Sequence, residues 1–431
     1  MSTQSTPSIL FTHQSPQQGF RLLELPPELA ELLSSDNPPT LELKTPAPLT
    51  TNASNATASE YVNLCTATQT YSIRQVQSSN SLHILQPSNG VNVRKNDLKI
   101  VAGTGNGAGA GDGEKVDMDA DADPESSKDR DLSLNVEGTV TSIAKCGSTL
   151  ELHKPAEGFS AVPYLKKLVR LFDRGDWEEL NGEESAAEGM TGSEAMKARN
   201  EILDRVFADV PVARTQCERE WVEMCAFILL SPTATKAKTP ALSCWWPSAA
   251  MRLDVWKRVV EGAVLQGIEL EKQFIISDLW KSVLDDDGVA PFPRPLFDAV
   301  ALRICELGDE VERAALLEMK WTSIKKKACV RWVGETYLEA TATSSASAIA
   351  ESEFLNAWKD QLPESWREDV SIAILPETCY MHPGPKTICF ATEADRQRAK
   401  RNLPSDASAA TAAKKTRNWH ELFKNQKRQK R

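Results

Sequence analysis

Glu351-Ser-Glu-Phe-Leu-Asn-Ala-Trp-Lys-Asp360, Gln361-Leu-Pro-Glu-Ser-Trp-Arg-Glu-Asp-Val370, Ser371-Ile-Ala-Ile-Leu-Pro-Glu-Thr-Cys-Tyr380 and Met381-His-Pro-Gly-Pro-Lys-Thr-Ile-Cys-Phe390 form the stretch that decides the reading of this chain. Phe354, Trp358 and Leu362 recur every four residues, the spacing of one buried helix face. Pro363 breaks that helix, because proline carries no N–H and clashes with the preceding turn. A second helix is expected from Ser365. Strands over 371–375 and 386–390 then follow, joined across the turn Met381-His382-Pro383-Gly384-Pro385.

Short helices at close spacing that end in a hairpin are the sequence pattern of a winged-helix unit. Working outward, the 3.6-residue period persists towards the N-terminus as far as Tyr164. Leu165, Leu168, Val169 and Phe172 form one stripe, and Trp221, Met224, Cys225 and Ile228 another. Leu253, Trp256, Val260 and Val264 follow, then Ile276, Leu279, Trp280 and Val283, and then Leu296, Val300, Ile304 and Leu307. A further helix is expected over 321–337. Two earlier groups, 193–247 and 249–340, are therefore expected to be further copies, with the Pro-rich breaks 231–240 and 288–295 as wings or loops.

Before Tyr164 the pattern changes. Residues 41–43, 61–65, 70–76 and 81–85 are short runs of β-formers separated by Pro, Asn and Ser clusters. Residues 138–143 and 149–152 read as two more strands, parted by a Cys146-Gly147-Ser148 turn. A small β-barrel or sandwich is the expectation. Between them, 103–130 is mostly Gly, Ala and Asp and cannot fill a core, so it is expected to be disordered. Its glycines lack the G-x-x-x-x-G-K-[ST] register of a phosphate loop. Its alternating aspartates lack the glycine and glutamate of a calcium loop, since Ala122 and Lys128 stand at those positions.

With 431 residues the chain is long enough for two to four domains. At 41% hydrophobic and 26% charged residues it has an ordinary globular composition. The longest apolar run, 224–230, is far short of a membrane span, and no secretory signal is expected from the opening residues. The net charge of −10 divides into +9 over 395–431 and −19 before it. All eleven Trp fall at or after Trp177. The expected organisation is thus a β-rich assembly domain over 1–156, winged-helix regions over 157–248, 249–345 and 346–394, and a basic disordered tail over 395–431, an α+β chain.

Nine Cys and five His supply one zinc-like pair, Cys379 and His382 with Cys389 nearby, but no second pair faces it. No His stands beside a Ser or Cys with an orienting carboxylate, so neither a metal, a cofactor nor an enzymatic activity is expected.

The order of features resembles the family called "defective in sister chromatid cohesion one". The likeness rests on Phe20-Arg21-Leu22-Leu23-Glu24-Leu25, on Val62-Asn63-Leu64-Cys65-Thr66 leading into Thr70-Tyr71-Ser72-Ile73-Arg74, and on Phe354-Leu355-Asn356-Ala357-Trp358 with Gln361-Leu362-Pro363-Glu364. That resemblance implies a non-catalytic subunit of an alternative, replication-factor-C-like clamp loader, which acts on the PCNA ring. Its implied partners are the large AAA+ and the very small chromosome-transmission-fidelity subunits, polymerase ε and DNA. The N-terminal β region would form a joint barrel with the partner subunits, through Phe20, Leu22, Leu23, Leu25, Val62, Leu64, Tyr71 and Ile73. A winged-helix transcription or chromatin regulator is the alternative. It is less expected because no helix concentrates base-reading side chains.

Lys320, Lys325, Lys326, Lys327 and Arg331 place five cations in twelve residues with no acid. On a helix at ~100° per residue, Trp321, Ile324, Ala328 and Trp332 would pack while Lys320, Lys327 and Arg331 flank them. Such a flank can neutralise phosphates, or simply be solvated. Lys359, Arg367 and Lys386 are the corresponding cations of the last unit. In the tail, Lys414 and Lys415, then Lys427, Arg428, Lys430 and Arg431, fit a bipartite nuclear-import signal, so a nuclear location is expected.

Overall fold

Val62-Asn-Leu-Cys65 and Tyr71-Ser-Ile-Arg74 put β-branched, aromatic and small polar residues side by side, and in the computed structural model of the chain they pair. The described residues are 9–13, 16–45, 62–87, 135–155, 158–180, 192–231, 241–305, 321–392 and 395–396. The chain divides into two compact units, the first drawn from described residues up to Gly158 and the second beginning at Phe159, apart from Ala67–Gln69, which group with the second. The segment 103–130 and the tail from 397 lie outside the described residues.

The first unit contains β1 (Ile9–His13), β2 (Leu22–Glu24), α1 (Pro27–Leu33), β3 (Glu42–Lys44), β4 (Val62–Cys65), β5 (Thr70–Pro87) and β6 (Asn135–His153). Its sheet has the order β1-β6-β5-β4-β3, with β2 pairing β6 beyond β1. Among the described residues the sheet is open, so the expected barrel is not closed by this chain. Two further expectations are corrected. Residues 70–76 and 81–85 belong to one strand, β5, and 138–143 and 149–152 belong to one strand, β6. The ladder runs past the foreseen turn because the register shifts between Gln77 and Leu82, opposite Ser148 and Cys146. The extra β5 residues are absorbed there as an irregularity instead of ending the pairing. Leu64 faces Tyr71 across β4 and β5. With Leu29 of α1 they form the buried centre, flanked by Leu33, Leu41, Ile73 and Leu152. Lys154 lies 5.0 Å over the Tyr71 ring.

The second unit contains three successive groups of elements. The first group runs α2 (Val162–Leu168), β7 (Arg170–Phe172), α3 (Arg174–Leu180), α4 (Gly192–Ala208), α5 (Arg214–Glu223), β8 (Phe227–Ser231) and β9 (Ala241–Pro247). Its sheet order is β7-β9-β8, with β8 antiparallel and β7 parallel to β9. The second group has α6 (Ala249–Gln266), α7 (Ile276–Val283) and α8 (Arg294–Ile304). Isolated antiparallel bridges, Phe274 to Thr322 and Cys305 to Ile324, replace its strands. The third group has α9 (Lys326–Thr341), β10 (Ile349–Ala350), α10 (Glu351–Asp360), a 3-10 helix (Glu364–Asp369), β11 (Tyr380–Gly384) and β12 (Thr387–Phe390), with sheet order β10-β12-β11. In the first and third groups the last strand lies between the other two, and in the second the bridges set Thr322 and Ile324 against Phe274 and Cys305.

Several boundaries differ from the sequence expectation for local reasons. Residues 371–375 do not form a strand. The Ser371 hydroxyl accepts the Ala373 N–H at 3.3 Å and holds Ile372–Ile374 as a 3-10 turn, ahead of Pro376. The helix expected over 321–337 starts at Lys326, because Thr322 and Ile324 are taken by the two bridges. Trp321 and Ala328 are consequently exposed and do not share a packed arc with Trp332. The stripe ending at Phe172 leaves the helix at Leu168, and Phe172 enters β7. Val264 is 72% exposed, and Leu307 lies outside the described residues.

The ends of α5 and α6 solve one problem with different residues. After α6, Gly267 sits at φ +67° and donates to the Val264 carbonyl, while Ile268 donates to that of Ala263. These two hydrogen bonds satisfy carbonyls left over by the helix, and glycine reaches the left-handed conformation without strain. After α5 the same pair of bonds runs from Cys225 to Val222 and from Ala226 to Trp221, with Cys225 at φ +54°. There a fully buried thiol is retained at the strained position.

Tryptophan anchors the second and third groups. Trp256 of α6 stacks on Trp366 at 6.1 Å and 27°, meets Trp332 edge-on, and donates to the Gln361 carbonyl at 2.8 Å. Trp358 donates to the Val330 carbonyl at 3.0 Å, and Trp366 donates to Glu271. All four indoles are at most 2% exposed. Each also satisfies the polar tip that makes a buried indole costly, except Trp332, whose Nε1 has no partner. Arg252 of α6 and Glu339 of α9 add a part-buried ion pair at 2.6 Å. The first group has its own core around Leu165, Phe207, Val210, Cys217 and Trp221. Its buried carboxylate, Glu220, accepts the N–H groups of Ala161 and Val162 at 2.6 and 2.8 Å. A carboxylate is thereby placed at the N-terminus of α2, where the unsatisfied donors and the helix dipole favour it.

Candidate interaction surfaces

The cations singled out by sequence separate once the helix start is fixed. Lys325 and Lys327 are exposed at the first turn of α9. Lys326 reaches away from solvent, donating to the Ser365 carbonyl at 2.9 Å and pairing with Asp369 at 3.0 Å. It fastens the 3-10 helix of the third group to α9. Arg331 pairs with Glu335 at 3.3 Å one turn on. Lys320 lies outside the described residues. Three lysines at a helix N-terminus oppose the helix dipole, a cost of roughly 0.3–1 kcal/mol each when exposed. Asp369 offsets it for Lys326 alone.

In the third group, Lys359 is half-buried on α10, and Arg367 is exposed and donates to the Leu362 carbonyl at 3.4 Å. Lys386 is exposed at the β11–β12 turn, while its carbonyl accepts from Glu351. The third helices of the last two groups are not open surfaces. Helix α8 packs against α5 and β8 of the first group, and the 3-10 helix packs on α6 through Trp366. The tail cations Lys414, Lys415, Lys427, Arg428, Lys430 and Arg431 lie outside the described residues.

On the first unit, the eight apolar residues named from sequence fall into two sets. Leu64 and Tyr71 are buried in the core, with Ile73 packed against it and Leu22 and Val62 half-buried. Phe20, Leu23 and Leu25 are each 37% exposed. Sequence reasoning missed Phe11, Leu43, Leu82 and Leu85, which are more exposed still, Leu43 at 69%. A signal was present for Leu43, which stands between Glu42 and Lys44 on an outermost strand. Phe11 and Leu43 lie on the strands at opposite ends of the sheet order, where backbone groups invite pairing with further strands.

Thiol chemistry is muted. Burial pushes Cys225 up to about 11 and Cys305 and Cys379 up to about 12, so these thiols stay protonated and weakly nucleophilic at neutral pH. Cys379 is buried, whereas His382 is exposed with Nδ1 at 3.0 Å from the Thr387 carbonyl. Among the described residues no group of three His, Cys, Asp or Glu is placed to hold a metal ion. No helix among them is long and apolar enough to cross a membrane.

These features define a mixed α+β protein with an open β unit and a mainly helical unit that carries two small three-stranded sheets. The chain belongs to the family described as sister chromatid cohesion protein Dcc1, which matches residues 20–406, nearly its whole length. Membership carries a role in sister chromatid cohesion. No curated protein matches the chain.

Proposed function

We propose that this chain is a non-catalytic subunit of a replication-factor-C-like clamp loader that acts on PCNA in the nucleus and links the loader to DNA and polymerase ε. The observation that carries this reading is the family match over 20–406. Two features of the fold support it. The first and third groups each place their last strand between the other two, and the second holds two antiparallel bridges in the corresponding places, an arrangement that suits three winged-helix units. In this reading α9 is the first helix of the third winged helix, which shifts that unit's start from 346 to about the start of α9. The open sheet with exposed Phe11, Phe20, Leu23, Leu25 and Leu43 suits a barrel completed by strands of the large AAA+ and small chromosome-transmission-fidelity subunits.

The same geometry weighs against a stand-alone transcription or chromatin regulator. Such a protein sets its third helix in the major groove. Here α8 is packed against the first group, and the 3-10 helix carries Glu364, Glu368 and Asp369 and buries Trp366. DNA would instead meet phosphate-seeking cations such as Lys325, Lys327 and Lys386, without base readout. A tagged pull-down tests the reading: the loader subunits should co-purify stoichiometrically, and their absence from a well-folded preparation would sink it. Replacing Lys325, Lys327 and Lys386 by Glu should weaken DNA binding and flatten its salt slope; unchanged binding at low salt removes that surface.

A further inference from the structure

We propose that the cleft between α3 and α6 is a docking site for a short acidic and aromatic segment of a partner protein. This goes beyond the clamp-loader reading and does not depend on it.

The cleft encloses about 290 Å³, at the small end of the range for ligand pockets. Its floor is apolar, made by Met251 and Phe292, which are 4% and 2% exposed. One wall is Trp177, a half-buried indole whose N–H meets no partner among the described residues. An aromatic side chain seated there would gain ring contacts and leave that N–H free for a carbonyl or carboxylate.

The rim sets the sign of the ligand. Arg174 is paired with Asp254 at 2.6 Å and Arg258 with Glu261 at 3.6 Å. Lys257, between them on α6, is exposed and has no ion pair among the described residues. One positive charge is thus left over. A carboxylate flanking the aromatic anchor would meet Lys257 and complete the rim. A nucleic-acid strand suits the cleft poorly, because a run of phosphates calls for a row of cations, whereas Arg174 and Arg258 are already paired and Lys257 alone is left over. Mixed charge around an apolar floor matches a peptide, whose amides use donors and acceptors of both kinds.

The experiment uses the full chain with ¹³C-methyl methionine, Met251 being assigned through Met251→Leu. The probe is the peptide acetyl-Ser-Asp-Leu-Phe-Asp-Ser-amide. Its controls are the same peptide with Lys for Asp, the same peptide with Ser for Leu and Phe, and a thymidine hexanucleotide. The acidic aromatic peptide should shift the Met251 methyl saturably, Lys257→Glu should weaken it about tenfold or more, and Lys257→Arg should hold it within about threefold. The proposal is overturned if Met251 stays unmoved at millimolar peptide, if the Lys or Ser controls bind equally, if Lys257→Glu changes nothing, or if the hexanucleotide produces the shift. The readout needs no loader subunit, so it succeeds or fails separately from the pull-down.

Discussion

The two units differ in how much aromatic surface they bury. In the first, three buried side chains, Leu29, Leu64 and Tyr71, hold a long sheet together. Phe11, Leu32, Leu43, Leu82 and Leu85 meanwhile stay more than 40% exposed. In the second, Trp256, Trp332, Trp358 and Trp366 are buried in one continuous core with Phe297 and Phe354. Each buried indole removes on the order of 150–250 Å² from water, worth roughly 4–6 kcal/mol before entropy is counted. The larger buried core among the described residues therefore lies in the helical unit, although Val264, Leu265 and Trp321 stay exposed there too.

The sharpest way to break that contrast is to separate the units. A fragment of residues 1–158 should show no cooperative thermal transition, while 159–392 should melt cooperatively; two sharp transitions of similar enthalpy would erase the distinction. Next in size, Trp358→Ala should cost the helical unit about 3–5 kcal/mol. Gly334→Ala should cost roughly 2–3 kcal/mol by urea melts, because its new Cβ would stand 2.4 Å from the Trp358 ring. A wild-type midpoint in Gly334→Ala would mean that the indole is free to shift.

Alkaline pH should discriminate the units through their thiols. Cys225, Cys244, Cys305 and Cys379, all in the second unit, are raised from 9.0 to about 11 or 12 by burial. The folded state then binds more protons than the unfolded state above pH 9, so stability should fall as pH rises from about 9 towards 11–12. Replacing Cys305 and Cys379 by Ala should flatten that slope in a pH series of melting temperatures, and an unchanged slope would assign it elsewhere. The smallest effect is expected in the first unit. Arg74 and Glu151 pair at 2.7 Å across β5 and β6 with Arg74 61% exposed, so Arg74→Met should shift stability by less than about 1 kcal/mol.

How much of this was legible depended on the range of the interaction. Phe354, Trp358 and Leu362 announce α10 because a helix face is written within nine residues. Trp256 and Leu279 did the same for their helices. Ile372 failed because Ser371 offered its backbone a competing bond, and Trp321 failed because Thr322 pairs with Phe274, nearly fifty positions away. The joined strands β5 and β6 were misread for a related reason. A register shift is a property of two strands, so Gly147 read alone looks like a turn. On the surface, cations could be recognised by type, but that Lys326 reaches Asp369 and that α8 is covered by α5 are tertiary facts with no local signature.

The seating of each late group on the one before it bears on what a shortened gene product would be. A chain that stopped just before α9 would lose Trp332 and Trp366 from the two sides of Trp256, and Glu339 from Arg252. It would keep α6 and α7 yet display a large indole and an orphaned guanidinium that evolved under cover. A premature stop there would not subtract a module from a string. It would injure its neighbour, and the cell would meet the product as a misfolded chain before it noticed any missing contact with a partner.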